Sequence, residues 1–98
     1  MGKKIIWHKK ALSNVDQIMQ YLSAEWGQKA VSDFSEHLVK QVEYLSLFPD
    51  LGTKSSKKEV FRKFLLTRHS YLIYIIKGQT ITIVDVQDTR QNPENVKY

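Results

Sequence analysis

Residues 71–86 read YLIYIIKGQTITIVDV, and the way this stretch folds decides the architecture. Its first part, YLIYIIK at 71–77, is apolar on both parities: Tyr71, Ile73 and Ile75 on one, Leu72, Tyr74 and Ile76 on the other. Successive side chains of a strand point to opposite faces, so the pattern predicts a strand inside a sheet, covered on both sides. Gly78 supplies a turn, and TITIVDV at 80–86 returns as the last strand. Upstream, VFRKFLLT at 60–67 has the same β-branched and aromatic enrichment and predicts the strand before it.

The first half of the chain has a different period. Ala11, Val15, Ile18, Leu22 and Trp26 recur at spacings of four, three, four and four, which places them on one helical stripe. Gly27 ends that helix, and a second stripe runs through Ala30, Phe34, Leu38, Val42 and Leu45 until Pro49 and Gly52 close it. The aromatic residues Tyr21, Trp26, Phe34 and Tyr44 are expected to pack, and the acids Asp16, Glu25, Asp33, Glu36, Glu43 and Asp50 to face water. KKIIW at 3–7 predicts a short first strand, and TKSSKKE at 53–59 a polar, lysine-rich loop. The order is β-α-α-β-β-β, an α+β fold in which a helical hairpin packs on a small antiparallel sheet. A chain of 98 residues predicts a single domain over 1–98.

Composition narrows the chemistry. Hydrophobic residues make up 42% and charged residues 26%, as in ordinary globular proteins. There is no cysteine, and His8, His37 and His69 are scattered without metal-ligand spacing, so neither a metal nor a cofactor is expected. No apolar run approaches the roughly 20 residues of a bilayer span, and the start MGKKIIWHKK has no apolar signal core, so a cytoplasmic protein with no membrane partner is expected. Net charge is +5 and unevenly spread: residues 11–50 carry six acids against two lysines, residues 51–98 nine bases against four acids. The basic second half suggests a polyanion, or an acidic protein segment, as partner.

The bases concentrate at Lys54, Lys57, Lys58, Arg62, Lys63, Arg68 and His69, with Arg90 after the last strand. Arg62 and Arg68 are six apart, so an unbroken strand gives them one face with Phe64 and Leu66, a groove of mixed chemistry. One use of such a groove is metal-independent RNA cleavage. Arg62, Arg90 and a loop lysine would stabilise the phosphorane, while His69, Tyr71 or Tyr98 would move protons. The other is docking: the arginines would pair the carboxylates of an acidic peptide, and Phe64 and Leu66 would take its apolar anchors.

The quoted elements, with IIWHKKAL, IMQYLSAEWGQKAVSDF, LSLFPDLG, FRKFLLTRHSYLIYII and VQDTRQNP in this order, resemble the RelE/ParE toxins of bacterial type II toxin-antitoxin systems over residues 5–95. The resemblance implies the fold above, a growth-arresting toxin, and a hetero-oligomer with a cognate antitoxin that covers the working surface. It leaves the target divided between DNA gyrase, inhibited by binding in the ParE branch, and ribosome-bound mRNA, cut by the RelE branch. It leaves open a non-toxic homologue that only binds antitoxin or regulates. Arg62 and Arg90 match arginines of the family, and Lys54, Lys57 and Lys58 fall where the nuclease branch has loop lysines. Target contact is therefore expected at Lys54, Lys57, Lys58, Arg62, Arg68 and Arg90, and antitoxin contact at Arg62, Phe64, Leu66 and Arg68. If the protein is an enzyme, catalysis falls to Arg62, Arg90, His69 and Tyr71. Gln91, Asn92 and Pro93 follow Arg90, where nuclease members often have a tyrosine or histidine, and this tilts the reading toward gyrase.

Two outcomes are open for the ending DVQDTRQNPENV at 85–96. Asp88 and Thr89 let the chain leave the sheet, and Arg90 either pairs with Asp88 or stands at the groove rim near Arg62.

Overall fold

The computed structural model describes residues 2–55 and 60–91. In chain order these form β1 (Lys4–Trp7), α1 (Lys9–Glu25), α2 (Gln28–Leu47), β2 (Thr53–Lys54), β3 (Arg62–Leu65), β4 (Ser70–Lys77) and β5 (Thr80–Asp88). The helices pack on a five-stranded sheet of order β1-β5-β4-β3-β2.

The α+β class and the helical hairpin stand as expected. The sheet is mixed where an antiparallel one was expected, because β1 pairs in parallel with β5, Lys4 to Thr80 through Trp7 to Ile83. Turn geometry fixes the direction of β5 against β4, but β1 reaches its neighbour only after two helices, and no local signal sets that pairing. A second departure is β2: the start of the polar loop joins the sheet, with Thr53 opposite Lys63 and Lys54 opposite Arg62.

His8 caps α1, its Nδ1 accepting from the Lys10 amide at 3.1 Å. Gly27, at φ +88°, supplies the conformation that turns the chain into α2. The stripes bury Ala11, Ile18 and Leu22 of α1 and Phe34 and Leu45 of α2 against Leu72, Tyr74, Ile81, Ile83 and Val86 of the sheet. Trp26 and Tyr44, expected to pack, are each 55% exposed. Trp26 sits on the cap after α1, where the helical direction is already lost. The six acids of the hairpin face water as expected. Among the described residues no helix is long and apolar enough to cross a membrane.

β4 is interior, and its residues Ser70–Tyr74 are all buried. Opposite it, β5 carries a bulge: Tyr74 pairs with Ile83 and Ile73 with Asp85, so Val84 is an extra residue. The strict alternation expected for β5 therefore fails, and Asp85, Val86, Gln87 and Asp88 are buried in succession. Asp88 remains in the sheet opposite Ser70 and does not lead the chain out of it.

Candidate functional site

Arg62 lies on β3 between Lys54 of β2 and Tyr74 of β4. Its guanidinium turns to the Pro49–Gly52 loop: Nη1 donates to the Gly52 carbonyl at 2.8 Å and, at 3.5 Å, to that of Asp50, while Nη2 is 3.5 Å from the Asp50 carboxylate. Tyr74 holds the same loop from below. Its hydroxyl donates to the Pro49 carbonyl at 2.6 Å and accepts from the Gly52 amide at 2.9 Å. Burial pushes the Tyr74 phenol above its ordinary value, against the opposing pull of the Gly52 amide and the Arg62 charge. Glycine is required at 52 because a Cβ there would meet the Tyr74 hydroxyl at 2.5 Å and its ring carbon at 2.6 Å. The PDLG sequence is thus built to be clasped by Tyr74 and Arg62, and Arg62 is only 20% accessible.

Arg90 is engaged elsewhere. Its Nε and Nη2 donate to the two oxygens of Asp88 at 3.1 and 2.8 Å, and its amide to Asp88 Oδ1 at 2.9 Å. The bond to Asp88 holds its guanidinium above the usual arginine value. Its charge lies 5.4 Å from the centre of the Trp26 ring. Tyr21 donates to the Arg90 carbonyl at 3.0 Å and accepts from Trp26 Nε1 at 3.4 Å. Of the two outcomes open for the ending, the pairing with Asp88 is the one formed.

Arg62 and Arg90 do not share a groove. The register separates Arg62 from Asp88 by four residues along β4 and two strands across, about 16 Å at standard sheet spacings. The expected common face of Arg62, Phe64, Leu66 and Arg68 also fails, since β3 stops at Leu65. Leu66 turns back, its amide donating to the Ser70 carbonyl at 2.9 Å, and joins the core at 3% exposure. Phe64 is half-buried and lines a depression with Gln41, Leu51, Thr53, Lys63 and Leu65. Tyr71 is buried on β4, with Lys63 Nζ 4.2 Å from its ring centre. Lys54 is exposed, while Lys57, Lys58, Asn92, Pro93 and Tyr98 lie outside the described residues.

What the fold does bring together is Arg68, His69 and Arg90. They border a cleft of about 480 Å³ whose other wall is the hairpin: Trp26, Lys29, Ala30, Asp33, Phe34 and His37, with Thr67 beside them. The turn that carries Arg68 and His69 is shaped by Thr67, whose hydroxyl accepts from the amides of His69 and Ser70, both at 3.1 Å. It is tied to the end of β5 by the Thr89 amide and hydroxyl, which donate to the His69 carbonyl at 2.7 and 3.0 Å. Sequence reasoning missed Trp26, Lys29 and His37 as members of a site; the one available signal was a tryptophan adjoining the hairpin glycine. It also missed Asp85, fully buried and satisfied by Asn14, by the Val86 amide at 2.9 Å, by Gln87 at 3.0 Å and by Lys10 at 3.4 Å.

The family described as ParE toxin of type II toxin-antitoxin system, parDE, matches residues 5–93. The chain is similar in structure to the chromosomal ParDE toxin-antitoxin system from P. aeruginosa, with a TM-score of 0.73 and 22% identity over 88% of this chain and 95% of that one. It is also similar to the YoeB/ParE toxin from Agrobacterium tumefaciens, with a TM-score of 0.61 and 10% identity over 87% of this chain and 96% of that one. The conserved hypothetical protein HP0894 from Helicobacter pylori gives 0.58 and 16%, over 90% of this chain and 96% of that one. No curated protein matches in sequence. At these identities the structural likenesses speak for the fold.

Proposed function

The chain belongs to the ParE toxin family of type II toxin-antitoxin systems, and from that membership we propose that it arrests growth by binding DNA gyrase and is neutralised by a cognate antitoxin. It acts as a single domain, in the cytoplasm, and forms a hetero-oligomer with that antitoxin. One observation carries the preference for binding over cleavage: Arg62 and Arg90 are held by different intramolecular partners, about 16 Å apart by the sheet register. Cleavage of RNA through its 2′-hydroxyl needs a base, an acid and cations converging within hydrogen-bond reach of one phosphorus. Purified protein should inhibit supercoiling by gyrase or trap cleaved DNA. Unchanged plasmid topology at large protein excess would overturn the reading.

The nuclease reading keeps one specific observation in its favour, the shared cleft of Arg68, His69 and Arg90. In that reading Arg62, Arg90, His69 and Tyr71 carry the chemistry, and induction cuts mRNA at codon-phased positions. Intact messages in arrested cells would exclude it.

A further inference from the structure

We propose that the cleft between the tip of the helical hairpin and the β3–β4 turn is a docking site for an acidic peptide segment bearing an apolar anchor, supplied by the antitoxin. The identity of the partner rests on the toxin-antitoxin reading; the chemistry of the cleft does not.

One wall is apolar. Trp26 closes α1, and Ala30 and Phe34 follow on the first turns of α2. The Trp26 ring is 55% exposed yet fixed, its Nε1 bonded to the Tyr21 hydroxyl and one side covered by the Arg90 guanidinium. A ring held in place before binding loses little freedom on contact, which is the property of a hot-spot anchor.

The opposite wall is basic, but most of its charge is spoken for. Arg90 is paired with Asp88, and Lys29 with Asp33 at 3.2 Å. Arg68 is exposed on the turn and has no ion-pair partner among the described residues. One available guanidinium beside a large apolar floor suits a carboxylate with a leucine or aromatic neighbour: the guanidinium pairs the acid in bidentate fashion while the floor takes the side chain. A nucleic acid draws its affinity from many phosphate contacts, and this cleft offers one uncommitted arginine together with the Asp33 carboxylate. Peptide is the better match.

The test is a titration of the whole ¹⁵N-labelled protein with a short synthetic peptide of alternating glutamate and leucine, followed through the two indole resonances. The Trp26 indole should shift while that of Trp7 stays. Arg68→Ala should weaken binding about tenfold, the worth of one charge-assisted pair, and Ala30→Glu should abolish it by placing an anion on the cleft floor. Binding unchanged in both variants overturns the proposal, as do shifts confined to Lys63–Leu65. An oligouridylate that moves Trp26 where the peptide does not would assign the cleft to nucleic acid and sink the proposal as well. Supercoiling measured on the same wild-type protein separates the two readings. Peptide binding without gyrase inhibition removes only the gyrase reading, and inhibition without peptide binding removes only this one.

Discussion

The Tyr74 hydroxyl reaches across the floor of the Pro49–Gly52 loop and donates to the Pro49 carbonyl at 2.6 Å. A side chain from the interior strand thus sets the shape of the loop that joins the helical hairpin to the remaining strands. Tyr74→Phe keeps the ring and removes the hydroxyl, leaving the Pro49 carbonyl and the Gly52 amide without their partner. The expected loss is about 1–3 kcal/mol in urea unfolding; an unshifted midpoint would show that water replaces the hydroxyl without cost.

The same phenol gives a pH signature. Its pKa is raised in the folded protein above the ordinary 10.0, so the unfolded chain loses this proton first. Its contribution to stability is complete below about pH 10 and declines as pH rises through the folded value. Wild type should therefore lose stability above pH 10 faster than Tyr74→Phe does, and parallel alkaline profiles of the two would contradict this.

Gly52→Ala drives a methyl into Tyr74, with the nearest atoms at 2.5–2.9 Å. Overpacking of this kind costs about 1–3 kcal/mol. Because both changes act on one contact, the double variant with Tyr74→Phe should be less destabilised than the sum of the single ones. Strict additivity in thermal melts would mean that the loop moves aside independently of the tyrosine.

Arg62→Ala separates a positioning role from target contact. With its donors turned to the Gly52 and Asp50 carbonyls, the variant should lower both the melting temperature and gyrase inhibition. Arg62→Lys should restore neither fully, since an ammonium cannot reproduce the fork. Lost inhibition at an unchanged melting temperature would instead place Arg62 against the target.

Asp88→Ala strands Arg90. The pair is 14% and 0% accessible at its two side chains, and removing one partner of a buried pair costs about 3 kcal/mol or more. Trp26 fluorescence should change with it, because the guanidinium beside the indole loses its tether. A variant with wild-type stability and emission would show the pair to be dispensable.

Much of this fold was legible because periodicity is a local property. The two helical stripes and the two-sided apolar run at 71–77 were each visible within one window. What escaped depends on partners far along the chain. The parallel pairing of β1 with β5 joins residues 76 apart, Lys4 with Thr80, and the turn at Leu66 interrupts a strand whose composition continues. The candidate site suffered most from this. Arg62 reads as an available cation until the loop ten residues upstream is seen to occupy it. Arg90, by contrast, has its partner two residues away, and that pairing was among the outcomes the sequence already offered.

The bulge at Val84 makes β5 two strands joined end to end. Thr80–Ile83 is clamped between β1 and β4, whereas beyond Ile83 β1 has ended and its place at Asp85 is taken by Asn14 and Lys10 of α1. The two halves answer to different neighbours. Selection can therefore rewrite the Asp85–Arg90 half, and with it the chemistry displayed beside Trp26, while the Thr80–Ile83 half goes on holding the sheet together.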